Sequence, residues 1–179
     1  SRDLFVLLFL LRGMPFVDLA FLRRCDLQGN VITYHRRKTS RKLTVVVGKE
    51  AMEIIQKYMY AIPDSPYLFP IIQNPGKDEY GQYARMLRLQ NYRLTQVANI
   101  LGIRDRLSTY TARHTWATTA LRQNYNSSLI CDAMGHSSVK VTETYFQPYR
   151  DDEVNRMNSS LITYILSKKK RGTDKKIRS

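Results

Sequence analysis

The chain has 179 residues, a length that suits one sizeable domain and needs no disulfide staples to stay folded. Hydrophobic residues at 43% and charged residues at 25% exclude a disordered polar chain. Lys and Arg number 29 against 15 Asp and Glu, and the resulting +14 selects polyanionic partners: nucleic acid or an anionic membrane surface.

The pattern along the chain predicts a mainly α protein with one small antiparallel hairpin or sheet. The apolar run Leu4 to Leu11 is too short to span a bilayer and reads as a buried helix over about 3–12. Phe16, Leu19, Ala20 and Leu22 share one face of a second helix over 16–23, with Pro15 at its start. Asp26 to Asn30 is turn chemistry. Two β-rich runs, 31–38 and 43–47, flank a polar turn at Thr39-Ser40-Arg41 and predict a hairpin. Its charge is one-sided: Arg36, Arg37, Lys38, Arg41 and Lys42 lie there, with no acid between Val31 and Lys49.

A helix is expected over 49–60, ended by Pro63 and Pro66, then a short buried connection at 68–70 and a loop at 71–79. A long helix over about 80–101 stops at Gly102. Ser108 or Thr109 can cap the next, through Leu121, with Ala112, Trp116, Ala117 and Ala120 as its apolar stripe. Asn126 can cap a short helix that Gly135 ends, and Ser137 can open another. A last helix is expected from Asp151 to about 166, and a basic tail of net +6 over Lys168–Ser179 is expected to be disordered. Domain limits of 1–166 and 167–179 follow. Cys25 and Cys131 lie far apart without CxxC spacing, so neither a disulfide framework nor a metal site is expected, and a reducing interior is the default. The chain starts inside a helix without Met and reads as a fragment lacking upstream domains.

Chemistry concentrates in four segments. They are Thr109-Tyr-Thr-Ala-Arg-His-Thr-Trp-Ala-Thr118, Met134-Gly-His-Ser-Ser138, Thr142-Glu-Thr-Tyr145 and the basic hairpin. Arg113 precedes His136 by 23 residues, and His136 precedes Tyr145 by nine. Together these resemble the tyrosine recombinase (phage integrase) family, over about Leu4 to Tyr149, with the catalytic-domain fold of that DNA breaking-rejoining family. The joint spacing carries the likeness; no single segment would.

The resemblance implies an enzyme of site-specific recombination and integration, most like a bacterial mobile-element integrase. A tyrosine attacks a DNA phosphodiester to give a 3′-phosphotyrosine and a free 5′-hydroxyl, and no metal or other cofactor takes part. It also implies double-stranded DNA as partner, a homo-tetramer of the full-length protein on that DNA, and a cytoplasmic, DNA-associated place with no membrane role. A phenol with a pKa of about 10 is a weak nucleophile at neutral pH, so cations must stabilise both phenolate and phosphorane.

By resemblance Tyr145 is the nucleophile, although most of the 12 tyrosines must be packing or surface residues. Tyr149, its nearest rival, lies off the pattern. Arg113 matches the second catalytic arginine; its planar fork can hold two phosphate oxygens at once. His136 matches the histidine that bonds a nonbridging oxygen or orients the tyrosine, against the commoner fate of a structural His. Lys38 matches the general acid for the leaving 5′-oxygen, evenly weighed against a solvated turn lysine. Arg37, Arg41, Lys42 and His114 are placed with the DNA contacts, although His114, next to Arg113, points elsewhere and suits a structural role as well.

Two positions depart from the pattern. Tyr110 stands where the family usually has His; it can donate to phosphate but is no neutral-pH base. Pro15 stands where the first catalytic arginine belongs. Arg12, three residues earlier, and Arg36, two before Lys38 and on the same strand face by a period of two, are the candidate replacements, with Arg36 preferred. Loss of activity is the third reading, leaving a DNA-binding module of the same fold. A type IB topoisomerase shares the chemistry, and an RNA-binding protein explains the charge but not the spacings.

Overall fold

The computed structural model describes residues 1–145, 151–152 and 155–164. Two compact units are distinguished, Ser1–Phe146 and Gln147–Ser179. In the first, Leu4, Leu7, Leu8 and Leu11 recur at helical spacing, and all four are buried along one stripe of α1 (Arg2–Leu10) and the turn after it. That stripe packs on α3 (Lys49–Ala61) and α5 (Thr109–Arg122). The core is completed by Phe16 and Leu19 of α2 (Phe16–Ala20) and by Leu68, Phe69 and Ile71 of the connection after α3.

The sheet has three antiparallel strands in the order β1-β2-β3: Leu27–Gln28, Val31–His35 and Lys42–Val46. Ile32 opposes Val45 and Tyr34 opposes Leu43, so the alternate residues of β2 and β3 turn one face to the core. Here the expected hairpin needs a correction. Pairing of β2 ends at His35, and 36–41 form a six-residue loop closed by Arg36 N–H to Arg41 O at 2.9 Å and Ser40 N–H to Arg36 O at 2.7 Å. Lys38 therefore stands on a turn, not on a strand face beside Arg36.

The α4 helix (Glu79–Ile100) is long and mostly polar. Its buried Gln82 organises the preceding loop, accepting from the Gln73 and Asn74 N–H groups and donating to the Asn74 and Lys77 carbonyls. Gly102 follows at φ +65, ending it as expected. Ser108 is the N-cap of α5 and Asn126 that of α6 (Ser127–Met134), while α7 (Val139–Glu143) opens from Ser138, one residue later than expected. A second, smaller cluster joins Ala117, Ile130, Met134 and Tyr145, with Trp116, Ala120 and Leu121 against it.

Not every arginine faces outward. Arg24 donates to the carbonyls of Met59, Ile62 and Ser65, capping the end of α3. In the second unit, residues 151–152 and 155–164 are helical, Arg156 pairs with Asp152, and Met157, Leu161, Ile162 and Tyr164 are exposed. Tyr149, residues 165–166 of the expected last helix and the basic tail lie outside the described residues. Among the described residues no helix is long and apolar enough to cross a membrane.

Candidate active site

Two glycines set the frame. Gly13 (φ +66) and Gly135 (φ +64) both adopt the left-handed conformation, and the carbonyl of each receives an arginine. Arg113, on the buried face of α5, donates from Nη1 to Gly13 O at 2.6 Å and from Nη2 to Met134 O at 2.9 Å. Arg36 donates from Nη1 to Gly135 O at 2.6 Å, where Thr39 Oγ1 also donates at 3.3 Å. A Cβ on Gly13 would meet Arg113 Cα at 3.1 Å, and one on Gly135 would meet Leu43 Cδ1 at 2.8 Å. Only glycine lets both arginines come this close.

Arg36 is buried beside Asp18, whose Oδ2 lies 3.7 Å from its Nε. That is charge attraction without a hydrogen bond, and neither atom has another partner. Burial raises the Asp18 carboxyl, while the Arg37 backbone N–H, which Oδ1 accepts, and the Arg36 charge oppose the rise. Asp18 thus fixes the root of the basic loop by its charge and by its hydrogen bond.

His136 stands between α6 and α7, 2.7 Å by Nε2 from Arg113 Nη2 and 2.8 Å by Nδ1 from Thr142 Oγ1. A guanidinium only donates, so Nε2 is the acceptor and the ring proton lies on Nδ1, given to Thr142. Burial first, then the charges of Arg113, Arg36 and Lys38, push the imidazole down to about 4. His136 is neutral at physiological pH.

These groups surround one pocket of about 250 Å³, whose walls include Pro15, Asp18, Arg36, Lys38, Tyr110, Arg113 and His136. Residues more than 70 positions apart in sequence thus meet at one cavity. Pro15 is on that wall, so the position where the family arginine belongs does face the pocket, and Arg36 enters it from another side. Arg12 does not reach it. That residue sits at φ +60, donates to Thr44 O at 3.2 Å, and borders a separate groove with Phe9 and Trp116.

Tyr145 follows α7 and is buried at 5% exposure. Its hydroxyl is 3.1 Å from that of Tyr110, its ring lies parallel to His136 with centroids 5.9 Å apart, and His114 meets it edge-on at 4.8 Å. Burial, then the Tyr110 hydroxyl, push its phenol up to about 12 against the pull of Arg113. The remaining cations are spread differently. Arg37 stacks its guanidinium 3.7 Å over the Phe21 ring, and Lys42 is exposed on β3. Arg41 is exposed but tied to the fold, donating to His136 O at 3.3 Å and pairing with Asp132 at 2.8 Å.

Sequence reasoning missed Thr142 as the partner that sets the His136 tautomer, and Asp18 as the partner of Arg36. Thr142 is fully buried, which no composition signal announces. Asp18 precedes Arg36 by 18 residues, and no spacing signal links the two.

A mainly helical body with one small three-stranded antiparallel sheet is the architecture of tyrosine recombinase catalytic domains. XerA recombinase superposes with a TM-score of 0.63 at 19% identity, over 89% of this chain and 61% of that one. The Tn1549 transposon integrase, solved in complex with transposon right end DNA, gives 0.68 at 15% identity, over 89% and 58%. The phage integrase family model matches residues 2–151, and the chain belongs to that family. Tyrosine recombinase XerC of Thermodesulfovibrio yellowstonii is 26% identical over 135 residues, 69% of this chain and 42% of that protein. A tyrosine recombinase of Pseudothermotoga lettingae is 32% identical over 60 residues, 34% and 21%. The chain spans less than half the length of either curated relative.

Proposed function

We propose that this chain is the catalytic part of a site-specific DNA recombinase that integrates or exchanges DNA through a 3′-phosphotyrosine. The observation that carries this is the meeting of Arg36, Lys38, Arg113 and His136 at one pocket, with the Tyr145–Tyr110 hydroxyl pair beside it. Cations gathered around one pocket suit a reaction whose transition state gathers negative charge on phosphorane oxygens. Tyr145 Oη forms the bond to phosphorus and gives up its proton to solvent. The bond to the 5′-oxygen breaks, and that oxygen takes a proton from Lys38. A second 5′-hydroxyl attacking the phosphotyrosine reverses the step, so the energy of the diester is kept.

Arg113 holds the nonbridging oxygens, and Arg36 does the work of the first family arginine in place of Pro15. His136, neutral, supports both Arg113 and the phosphate. The relatives solved with DNA support double-stranded DNA as the substrate. The basic tail adds loose affinity, and the working assembly is a tetramer of the full-length protein.

The test is a nicked suicide duplex carrying the protein's own target site, incubated with the full-length protein and resolved on a denaturing gel. Wild type is expected to give a covalent adduct and Tyr145→Phe none; no adduct from wild type, or an undiminished one from the variant, sinks the reading. In the same assay Arg36→Ala is expected to lose cleavage by at least about 100-fold, as removal of a transition-state charge partner does, and Arg12→Ala to keep it. A loss confined to Arg12→Ala would reverse that assignment. A second reading, a DNA-binding module without cleavage, is motivated by Pro15 and by the burial of Tyr145, and it predicts a DNA complex without adduct.

A further inference from the structure

We propose that Tyr110 is a positioning residue that holds Tyr145 back from the phosphate pocket until DNA arrives, through the hydrogen bond between their two hydroxyls. This rests on Tyr145 being the nucleophile. The two phenols differ in exposure: Tyr110 is 54% exposed and lines the pocket with Arg36, Lys38 and Arg113, whereas Tyr145 is 5% exposed. Their hydroxyls are 3.1 Å apart.

The pair is braced. His114, one turn after Tyr110 on α5, meets both rings edge-on, with centroids 4.6 Å from Tyr110 and 4.8 Å from Tyr145. His136 lies parallel to Tyr145. The Tyr145 side chain is therefore held at its ring by two imidazoles and at its tip by Tyr110, with Arg113 also drawing on the hydroxyl.

The contact is one that a phosphate can undo. With Tyr110 as the donor of this pair, its single proton cannot go to Tyr145 and to a phosphate oxygen at once. An anion drawn in by Arg36 and Arg113 is the stronger acceptor, because hydrogen bonds to charged oxygens are roughly twice as strong as neutral ones. Substrate binding thus turns Tyr110 toward the diester and releases the Tyr145 hydroxyl beside it. The family's usual histidine at this position would not offer the same phenol-to-phenol contact. Tyr110 then departs from the pattern for a reason: it couples occupancy of the pocket to freedom of the nucleophile.

Tyr110→Phe removes the hydroxyl and keeps the ring against His114. In DNA-free protein, nitration of Tyr145 by tetranitromethane, read by peptide mass mapping, is expected to rise several-fold in this variant. On nicked suicide DNA the same variant also lacks the Tyr110–phosphate hydrogen bond, so its DNA affinity is expected to fall by about 10-fold. Unchanged nitration, or unchanged DNA affinity, overturns the proposal. A wild type that forms no adduct, or a Tyr145→Phe protein that forms one, overturns instead the nucleophile assignment beneath it, and the nitration ratio still reports the hydroxyl contact separately.

Discussion

Protonating His136 would keep a buried ring charged and put a further cation among Arg113, Arg36 and Lys38. Both effects act in one direction, which is why its pKa falls to about 4 from an ordinary 6.5. The unfolded chain therefore binds a proton below about pH 6.5 that the folded chain refuses until about pH 4. Stability from this residue is present above pH 6.5, is lost as pH falls through that window, and changes no further below it. Urea midpoints measured at pH 7.5 and 5 are expected to separate more for wild type than for His136→Gln. Equal separations would mean that the imidazole is charged in the fold. The chemistry of His136 was legible from Gly-His-Ser, but its tautomer was not, because that depends on Thr142 and Arg113 arriving from two other elements.

Each element contributes mainly through its ends. The α1–α2 turn offers Gly13 O, the α6–α7 junction offers Gly135 O and His136, and the β2–β3 loop delivers Arg36 and Lys38. Helix and strand middles do the packing. Gly135→Ala combines a left-handed φ with a Cβ 2.8 Å from Leu43 and 3.1 Å from the Arg36 side chain. A loss of about 1–3 kcal/mol in urea-derived stability is expected, together with loss of cleavage as Arg36 is displaced. A variant of wild-type stability would show that the loop yields freely. Helix starts at Ser108 and Asn126 and stops at Gly102 and Gly135 were readable because capping is local chemistry. The hairpin boundary was not. The reading carried the strand through Lys38, whereas it stops at His35, where Asp18 takes the Arg37 N–H and Arg36 turns inward to Gly135.

Over the whole molecule the net charge of +14 divides by use. Arg24, Arg36, Arg41 and Arg113 are hydrogen-bonded to other parts of the fold, Arg41 while exposed, and Arg37, Lys38 and Lys42 are exposed on or beside the hairpin loop. DNA affinity should therefore fall steeply with salt, and the slope should follow the exposed cations rather than the buried ones. Lys42→Ala is expected to lower the log–log salt slope by about 1. Arg24→Ala should leave the slope unchanged and reduce stability instead, since it uncaps α3. Binding isotherms between 50 and 200 mM salt check both, and a slope change for Arg24→Ala would contradict its assignment to the fold.

The sequence by itself determined the element order, the helix caps and the family, because each of these is written in local periodicity, turn chemistry or motif spacing. For the arginine missing at Pro15 it offered Arg36 and Arg12, beside loss of activity. Tertiary structure decided between their positions, bringing Arg36 to the pocket and leaving Arg12 on β3, and it put the Tyr145 hydroxyl against Tyr110. Those outcomes depend on contacts between residues 32 to 99 positions apart, where close packing and burial of charge, rather than any local preference, choose which side chain meets which.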